Sequence, residues 1–536
     1  MRNAAVIVVL LALAALSPVA AQETTGGLHG GVADEAGNPI AGASVVASGP
    51  LGTISTASDE AGRYRFPRLP PGTYTVAASY EGLVPVEADQ VRVILGESVT
   101  VDVTLQRGTF EDEIQVYSDT VVIDFAESQT ATSIRQREID YLPRGRDFTE
   151  VVTFAAGAIF DNQGGGIMID GATGLENRFV IDGINTTDPE IGESSVPLRA
   201  EFMEEVQVKS AGYTAEYGGA IGGVINAVTR SGSNEFHGGV LVDIEYNDWN
   251  GRGRPQLEKS PCTRCEFDDG RYESIYWDKD DEVRYDPGFF LGGPILRDRL
   301  WCFATYRPGI RNRKRTVEWV TEPTDTYEQD FNVDYASLNL TANIASALLI
   351  KVGANISPYE TDGLLPNVSG KSDLAGQENY APLGQKGERE TYSGTIDWIA
   401  TDNFVVSGRG GFYHTNTEDT GIPFFEIIHN YSTTSEFDPD WDLPPEADNE
   451  PGWLSDNLQT GVDAFNTYER TAGSLDASWY ITAAGDHALK AGYQTEQITN
   501  DVHTSYNADR ILYNRGRAYT TTQTESVRGE NGYFRL

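Results

Sequence analysis

Six histidines, at positions 29, 237, 414, 429, 487 and 503, are scattered along a chain of 536 residues. They assemble no set for nucleophilic, acid–base or metal chemistry. The three cysteines provide one close pair, Cys262-Thr263-Arg264-Cys265, in a polar and acidic stretch. That pair could close a small disulfide in an oxidising compartment. A zinc site would want a second pair or nearby histidines, and neither is present. Cys302 lies in an apolar strand and is read as packing. The glycine runs invite comparison with a phosphate loop, yet no Lys-Ser/Thr follows at Walker spacing and no strand–GxGxxG–helix context surrounds them. Glycine here permits sharp bends and close backbone approach. The acidic run from Glu436 to Glu450, with Asp438, Asp440, Asp442, Glu446, Asp448 and Glu450, is read as a solvated loop, with a structural Ca²⁺ site as the alternative. No catalytic residue, metal or cofactor is expected, and the chain is not read as an enzyme.

The bulk properties set the frame for these residues. Asp and Glu number 80 against 40 Lys and Arg, which argues against nucleic acid or anionic headgroups as a main partner. The length predicts about two to four domains. Mean hydropathy is −0.36, and 56 Gly with 24 Pro, free of any Gly-Pro repeat, indicate loop-rich β structure. The first 21 residues differ: Arg2, an apolar run from Val6 to Leu16, Pro18, then Val19-Ala20-Ala21 ahead of Gln22. This is the pattern of a secretory signal peptide, with an apolar run too short to span a bilayer.

Residues 22–107 show period-two alternation, with Tyr64 and Phe66, Tyr74 and Val76, Val91 to Leu95, and Val99 to Leu105 on one face. Turns fall at Asp34–Pro39, Asp59–Gly62 and Pro70–Gly72, so a sandwich of about seven strands is predicted. The strings Gly31-Val32-x-Asp34-x-x-Gly37-x-Pro39 and Gly62-x-Tyr64-x-Phe66-x-x-Leu69-Pro70-x-Gly72-x-Tyr74 resemble the carboxypeptidase regulatory-like domain. That resemblance implies an accessory module, and His29 has no zinc-ligand partner here.

In residues 108–232 a helix is predicted over Ile134–Leu142, ended by Pro143. A Gly-rich run at 164–166 follows, then Asn177-Arg178-Phe179-Val180-Ile181-Asp182-Gly183. The last signal is Tyr213-Thr214-Ala215-Glu216-Tyr217-Gly218 through Gly222, Gly223 and Asn226. Together these strings resemble the plug of TonB-dependent outer-membrane receptors of the Oar-like kind. The resemblance marks Asp182, Gly183, Glu216, Tyr217, Gly218, Gly222, Gly223 and Asn226 as plug-motif residues. It also makes the extended segment Glu113-Ile114-Gln115-Val116 a TonB box candidate, able to add as a strand to a periplasmic partner's sheet. A linker or first plug strand is the alternative.

Residues 233–536 alternate apolar and polar in clean strands. Val240, Val242, Ile244 and Tyr246 oppose Leu241, Asp243 and Glu245; Leu338 and Leu340 oppose Asn339 and Thr341; Ile396 and Trp398 oppose Asp397; Leu475 and Trp479 oppose Asp476; Leu489 opposes Lys490. Strands of about nine residues joined alternately by tight turns and long stretches, such as 357–390 and 414–467, are the outer-membrane pattern, and lipid requires such a sheet to close. The first set is predicted to face lipid and the second the lumen. About ten strands are legible, whereas the resemblance implies about 22, so the sequence is expected to be the N-terminal part of a longer barrel. Trp301, Trp398 and Trp479 are assigned to interfacial girdles.

The expected architecture is mainly β: a signal peptide (1–21), an N-terminal β-sandwich (22–107), an α+β plug (108–232) and a partial antiparallel transmembrane β-barrel (233–536). The resemblance implies an outer-membrane location, with plug and sandwich on the periplasmic side. It further implies energy-coupled import driven by the inner-membrane TonB complex, for an extracellular ligand that siderophore, glycan and peptide all fit. An adhesion or signalling receptor on the same scaffold is the alternative. Outer-membrane lipid is the other expected partner, and nucleic acid is not one.

Overall fold

The computed structural model describes residues 24–535 apart from 108–113, 118–128, 144, 162–164, 189–191, 195, 214–216, 260–271, 319–323, 346, 369–379, 402, 423–426, 434–452, 455–460, 483–485, 507–508, 516–518, 523–524 and 528–532. The signal-peptide stretch, Glu113, Glu216, Cys262, Cys265 and the acidic run 436–450 lie outside the described residues.

Alternation in the N-terminal segment becomes eight strands: β1 (Gly26–Asp34), β2 (Ser44–Gly49), β3 (Gly52–Ala57), β4 (Arg63–Leu69), β5 (Gly72–Ser79), β6 (Val86–Val93), β7 (Ser98–Thr100) and β8 (Val103–Leu105). One sheet runs β4-β1-β7 with β8 also on β1, and the other runs β3-β2-β5-β6. Between them lie Tyr64, Phe66, Tyr74, Val76, Val91, Val93, Val99, Val101, Val103 and Leu105, the residues that alternation placed on one face. Each buried Val or Leu contributes about 1.5–3 kcal/mol. Asp34 and Asp59 shape their turns as expected, since each Oδ1 accepts from backbone N–H groups two and four residues on, at 2.8–2.9 Å. A ninth strand, β9 (Ile114–Tyr117), lies parallel to β6 at the outer edge of the second sheet.

The plug sheet has the order β10-β15-β16-β13-β14, from β10 (Thr130–Arg135), β13 (Arg178–Ile181), β14 (Ile184–Asn185), β15 (Met203–Ala211) and β16 (Val224–Thr229). A small hairpin of β11 (Ala158–Phe160) and β12 (Ile167–Ile169) stands apart from it. Two short helices, α1 (Gln136–Tyr141) and α2 (Phe148–Val152), pack on the sheet. The helix is shorter than its sequence suggests. Ile134 and Arg135 finish β10, paired with Val206 and Glu205, because this edge completes the β15 ladder. Leu142 is already extended (ψ 139°), as the residue before Pro143 must be.

The remaining strands are β17 (His237–Tyr246), β18 (Gln256–Lys259), β19 (Tyr272–Ile275), β20 (Asp281–Leu296), β21 (Leu300–Val317), β22 (Asp325–Ala345), β23 (Leu348–Ile356), β24 (Tyr359–Asp362), β25 (Gly384–Thr401), β26 (Phe404–Thr420), β27 (Ile427–Thr433), β28 (Trp453–Leu454), β29 (Gly461–Thr482) and β30 (Asp486–Tyr506). Beyond them come β31 (Asp509–Arg515), β32 (Tyr519–Thr522), β33 (Glu525–Val527) and β34 (Tyr533–Arg535). One antiparallel ten-stranded sheet runs β17-β20-β21-β22-β23-β25-β26-β29-β30, with β24 bridging β22 and β25. Its long strands have 16 to 22 residues rather than about nine. An apolar band needs only about 9–11 residues per strand, and backbone pairing continues past it through polar positions. The loops shrink correspondingly: β25 starts at Gly384, β26 reaches Thr420 and β29 begins at Gly461. The short connections from β20 to β21, β22 to β23 and β25 to β26 lie at one end of the sheet.

The two faces sort as alternation predicts. Leu338, Leu340, Ile396, Trp398, Leu475, Trp479 and Leu489 are exposed on the outer face, as are Val240, Val242 and Ile244, while Asn339, Thr341, Asp397 and Asp476 are buried inside. Trp301 corrects the girdle assignment. It shares the inward face of β21 with Phe303 and Arg307, is fully buried, and donates from Nε1 to Asn234 Oδ1 at 2.8 Å. Among the described residues no helix is long and apolar enough to cross a membrane.

Candidate functional site

The site is the contact between the plug and the inner face of the sheet, and its centre is the β13–β14 hairpin. Asp182 and Gly183 form its two-residue turn with φ of 48° and 79°. Positive φ at both positions is the requirement of a type I′ turn, which Asp-Gly meets. The turn drives the Asp182 carboxylate toward the wall. It accepts from Thr229 N at 3.0 Å, Thr229 Oγ1 at 2.5 Å and Lys351 Nζ at 2.9 Å. Lys351, on β23, also donates to Thr229 O at 3.1 Å. On β22, Asn339 Nδ2 donates to Thr229 Oγ1 and Arg230 O, each at 2.9 Å. Two plug strands and two wall strands therefore meet in one buried polar knot, in which each charge has a partner.

Three further polar clusters flank it. Asp286 on β20 is fully buried and receives Arg146 and Arg199 from the plug, the latter at 2.9 Å, and Arg284 at 3.3 Å. Arg307 on β21 pairs with Glu201 of the plug and Asp243 of β17. At the other side Arg470 on β29 donates to Asn185 O and Thr187 O, both at 2.8 Å, and meets Glu496 at 3.1 Å. The apolar plug core continues into the wall through Val333, Tyr335, Tyr359 and Tyr413.

The other plug-motif residues hold the plug together rather than touching the lumen. Tyr217 is buried, with Lys209 Nζ at 3.1 Å from its hydroxyl. Gly218 O accepts from Arg178. Gly223 N donates to Asn177 Oδ1 at 2.9 Å, and a Cβ on Gly223 would lie 2.4 Å from Ile169 Cδ1. Asn226 is fully buried on β16. Sequence reasoning missed Lys351, Thr229, Asn339 as a plug contact, and Asp286, because the signal that unites them is spatial.

The sandwich closes the tight-turn end of the sheet. Its Arg68 lies between the buried carboxylates of Asp397 (3.8 Å) and Asp476 (3.7 Å), and Arg409 holds Asp476 at 2.8 Å. Arg65 stacks on the Tyr480 ring at 4.1 Å. Against the plug, Leu95 N donates to the Glu205 carboxylate at 3.3 Å, and Gln207 Nε2 donates to Leu95 O at 2.8 Å. Burial pushes the Glu205 carboxyl up to about 7, and Glu97 and Glu204 push the same way against hydrogen bonds from Ser133 and Leu95. Burial likewise lifts Asp147, the N-cap of α2, to about 6 despite its bonds from Thr149. A cavity of about 200 Å³ remains where the three parts meet, lined by Thr24, Leu51, Glu204, Arg230, Lys351 and Asp397 among others.

Comparison with known proteins gives each part a counterpart. The carboxypeptidase regulatory-like domain matches residues 27–106, the TonB-dependent receptor plug domain residues 125–224 and the outer membrane beta barrel domain residues 228–440. The TonB-dependent transporter Oar of Myxococcus xanthus is 33% identical over 289 residues, which cover 52% of this chain and 26% of that protein. The chain thus spans about a quarter of the length of the curated relative that it matches. The outer membrane transporter YddB from Escherichia coli has a similar fold, with a TM-score of 0.50 at 15% identity over 72% of this chain and 50% of that one.

Proposed function

The chain belongs to the TonB-dependent outer-membrane receptors, and from that premise we propose that it takes part in energy-coupled import of an extracellular ligand, with the plug as the gate. The observation that carries this reading is the seating of the plug. Asp182, Thr229, Lys351 and Asn339 form a compact polar knot between plug and wall. Such a knot is stable at rest, yet it is made of a few hydrogen bonds that a directed pull can break together. A plug held only by a large apolar interface would resist that pull.

The pull is applied at Glu113-Ile114-Gln115-Val116, the TonB box in this proposal. Support comes from β9, which lies at the edge of the sandwich sheet with β6 on one side. Among the described residues no strand pairs with its second edge, which suits strand addition by TonB of the inner-membrane complex. Plug and sandwich then face the periplasm and the long loops face outside. The protein acts by binding and gating, with no bond made or broken in the ligand.

The test works with the ligand unidentified. Compounds depleted from culture medium are profiled by mass spectrometry for cells carrying the receptor, cells carrying Ile114→Pro, and cells lacking TonB. Proline removes a backbone donor and blocks strand addition. Import predicts a compound depleted by the first cells alone. Depletion that persists without TonB, or no receptor-dependent depletion at all, returns the chain to adhesion or signalling.

A further inference from the structure

Where the apolar plug core meets the wall, at Tyr359 and Phe331, four inward side chains of the wall form one continuous stack. The Arg311 guanidinium on β21 lies over the Phe331 ring at 4.9 Å, directly across the ladder. Phe331 meets Tyr359 of β24 with ring centroids 6.1 Å apart. The Arg389 guanidinium on β25 covers Tyr359 at 4.2 Å. Cation–π contacts of this kind align guanidinium planes and contribute about 0.5–2 kcal/mol each. Backbone makes room for the stack at Gly387, opposite Tyr359, where a Cβ would lie 2.3 Å from the ring.

The two arginines differ from their neighbours. The other inward arginines of the wall, at 284, 307, 313, 315, 409 and 470, each hold a carboxylate. Arg311 and Arg389 form no ion pair among the described residues, and Arg311 Nε is buried with no hydrogen bond. A half-buried cation without a partner is costly, and the expense is recovered when an anion arrives.

We propose that the Arg311–Phe331–Tyr359–Arg389 stack is the recognition face of the lumen, and that it takes an anionic ligand presenting at least two oxyanion groups. The rings fix the guanidinium planes, whose N–H edges bind carboxylates in bidentate fashion. This inference rests on the import reading only in calling the bound molecule cargo.

Mellitate, a planar hexacarboxylate, is a suitable probe, with its uncharged hexa(hydroxymethyl) counterpart as control. Calorimetric titration into the folded receptor in detergent reads binding with no energy source, and heat-modifiable migration on gels verifies folding. Mellitate is expected to bind and the control not to bind. Arg311→Gln and Arg389→Gln should each weaken mellitate about tenfold or more, while Arg297→Gln on an exposed tight turn should leave it unchanged. Wild-type affinity in both stack variants, or no mellitate binding by folded receptor, overturns the assignment. Neither result touches import, which the depletion profile tests separately; binding without TonB-dependent depletion sinks the import reading alone.

Discussion

Leu340 and Asn339 are adjacent on β22 and face opposite ways, so one pair of substitutions separates the membrane from the plug. Leu340 is 37% exposed on the outer face and Asn339 is 1% exposed within. Ala345 ends β22 at the tight turn, five residues beyond Leu340, or about 16 Å of strand. For a strand tilted by about 45° that is roughly 12 Å of depth, near the middle of an apolar band about 25 Å tall. A guanidinium there costs about 2–4 kcal/mol, so Leu340→Arg should lower the assembled fraction by about 30- to 1000-fold in equilibrium terms. Asn339→Leu keeps the side chain's size and puts nothing charged in lipid. It removes the bonds to Thr229 Oγ1 and Arg230 O, at about 1–3 kcal/mol for each group left unpaired, and that loss falls on the seating of the plug. Heat-modifiable migration in outer-membrane fractions reads assembly, and sensitivity to vancomycin reads a leaking plug. Leu340→Arg should fail the first assay, whereas Asn339→Leu should pass it and leak. Equal assembly of both variants would refute the placement of this face against lipid.

Two interdomain contacts yield further expectations. The Glu205 carboxyl is held at about 7 against an ordinary 4.5, so the folded state binds the extra proton between those values. The stability it lends to sandwich–plug docking is full below about pH 4.5 and is lost as pH rises through about 7, a swing on the order of 3 kcal/mol. Thermal unfolding from pH 5.5 to 8 should show this fall and Glu205→Gln should flatten it; identical profiles would show that Glu205 is not the group responsible. Arg68→Ala leaves Asp397 and Asp476 with one cation fewer in a buried site, which should cost about 3 kcal/mol and release the sandwich from the tight-turn end. Limited proteolysis should then free it while the sheet stays heat-modifiable, and unchanged protection would mean that the sandwich docks through other contacts.

Alternation was the most legible property of the chain. Period two fixes which side of a strand each residue takes, so the outer and inner faces at 338–341, 396–398 and 475–479, together with the sandwich core from Tyr64 to Leu105, follow from spacing alone. Trp301 shows the limit of reading residue type over phase: a tryptophan near a strand end suggests a girdle, yet its parity with Phe303 and Arg307 sets it inward. Strand length was illegible because backbone pairing continues where apolar residues stop. Ile134 and Arg135 fit a helix locally and became strand because β15 offered a ladder. The Asp182-Gly183 turn could be read as a turn, but its partners Thr229, Lys351 and Asn339 are distant in sequence and meet only through folding. The stack of Arg311, Phe331, Tyr359 and Arg389 is drawn from four strands, and no local pattern announces it.

Energy-coupled gating is tested most directly at Gln115, in the segment proposed to meet TonB. A photo-crosslinking residue placed there in living cells should yield an adduct with TonB. The adduct should vanish with Ile114→Pro and in cells lacking TonB, with the receptor assembled in each case. An assembled receptor that crosslinks at Gln115 only to its own sandwich, or that forms the TonB adduct undiminished with Ile114→Pro, would contradict strand addition at this segment and with it the proposed drive of the plug.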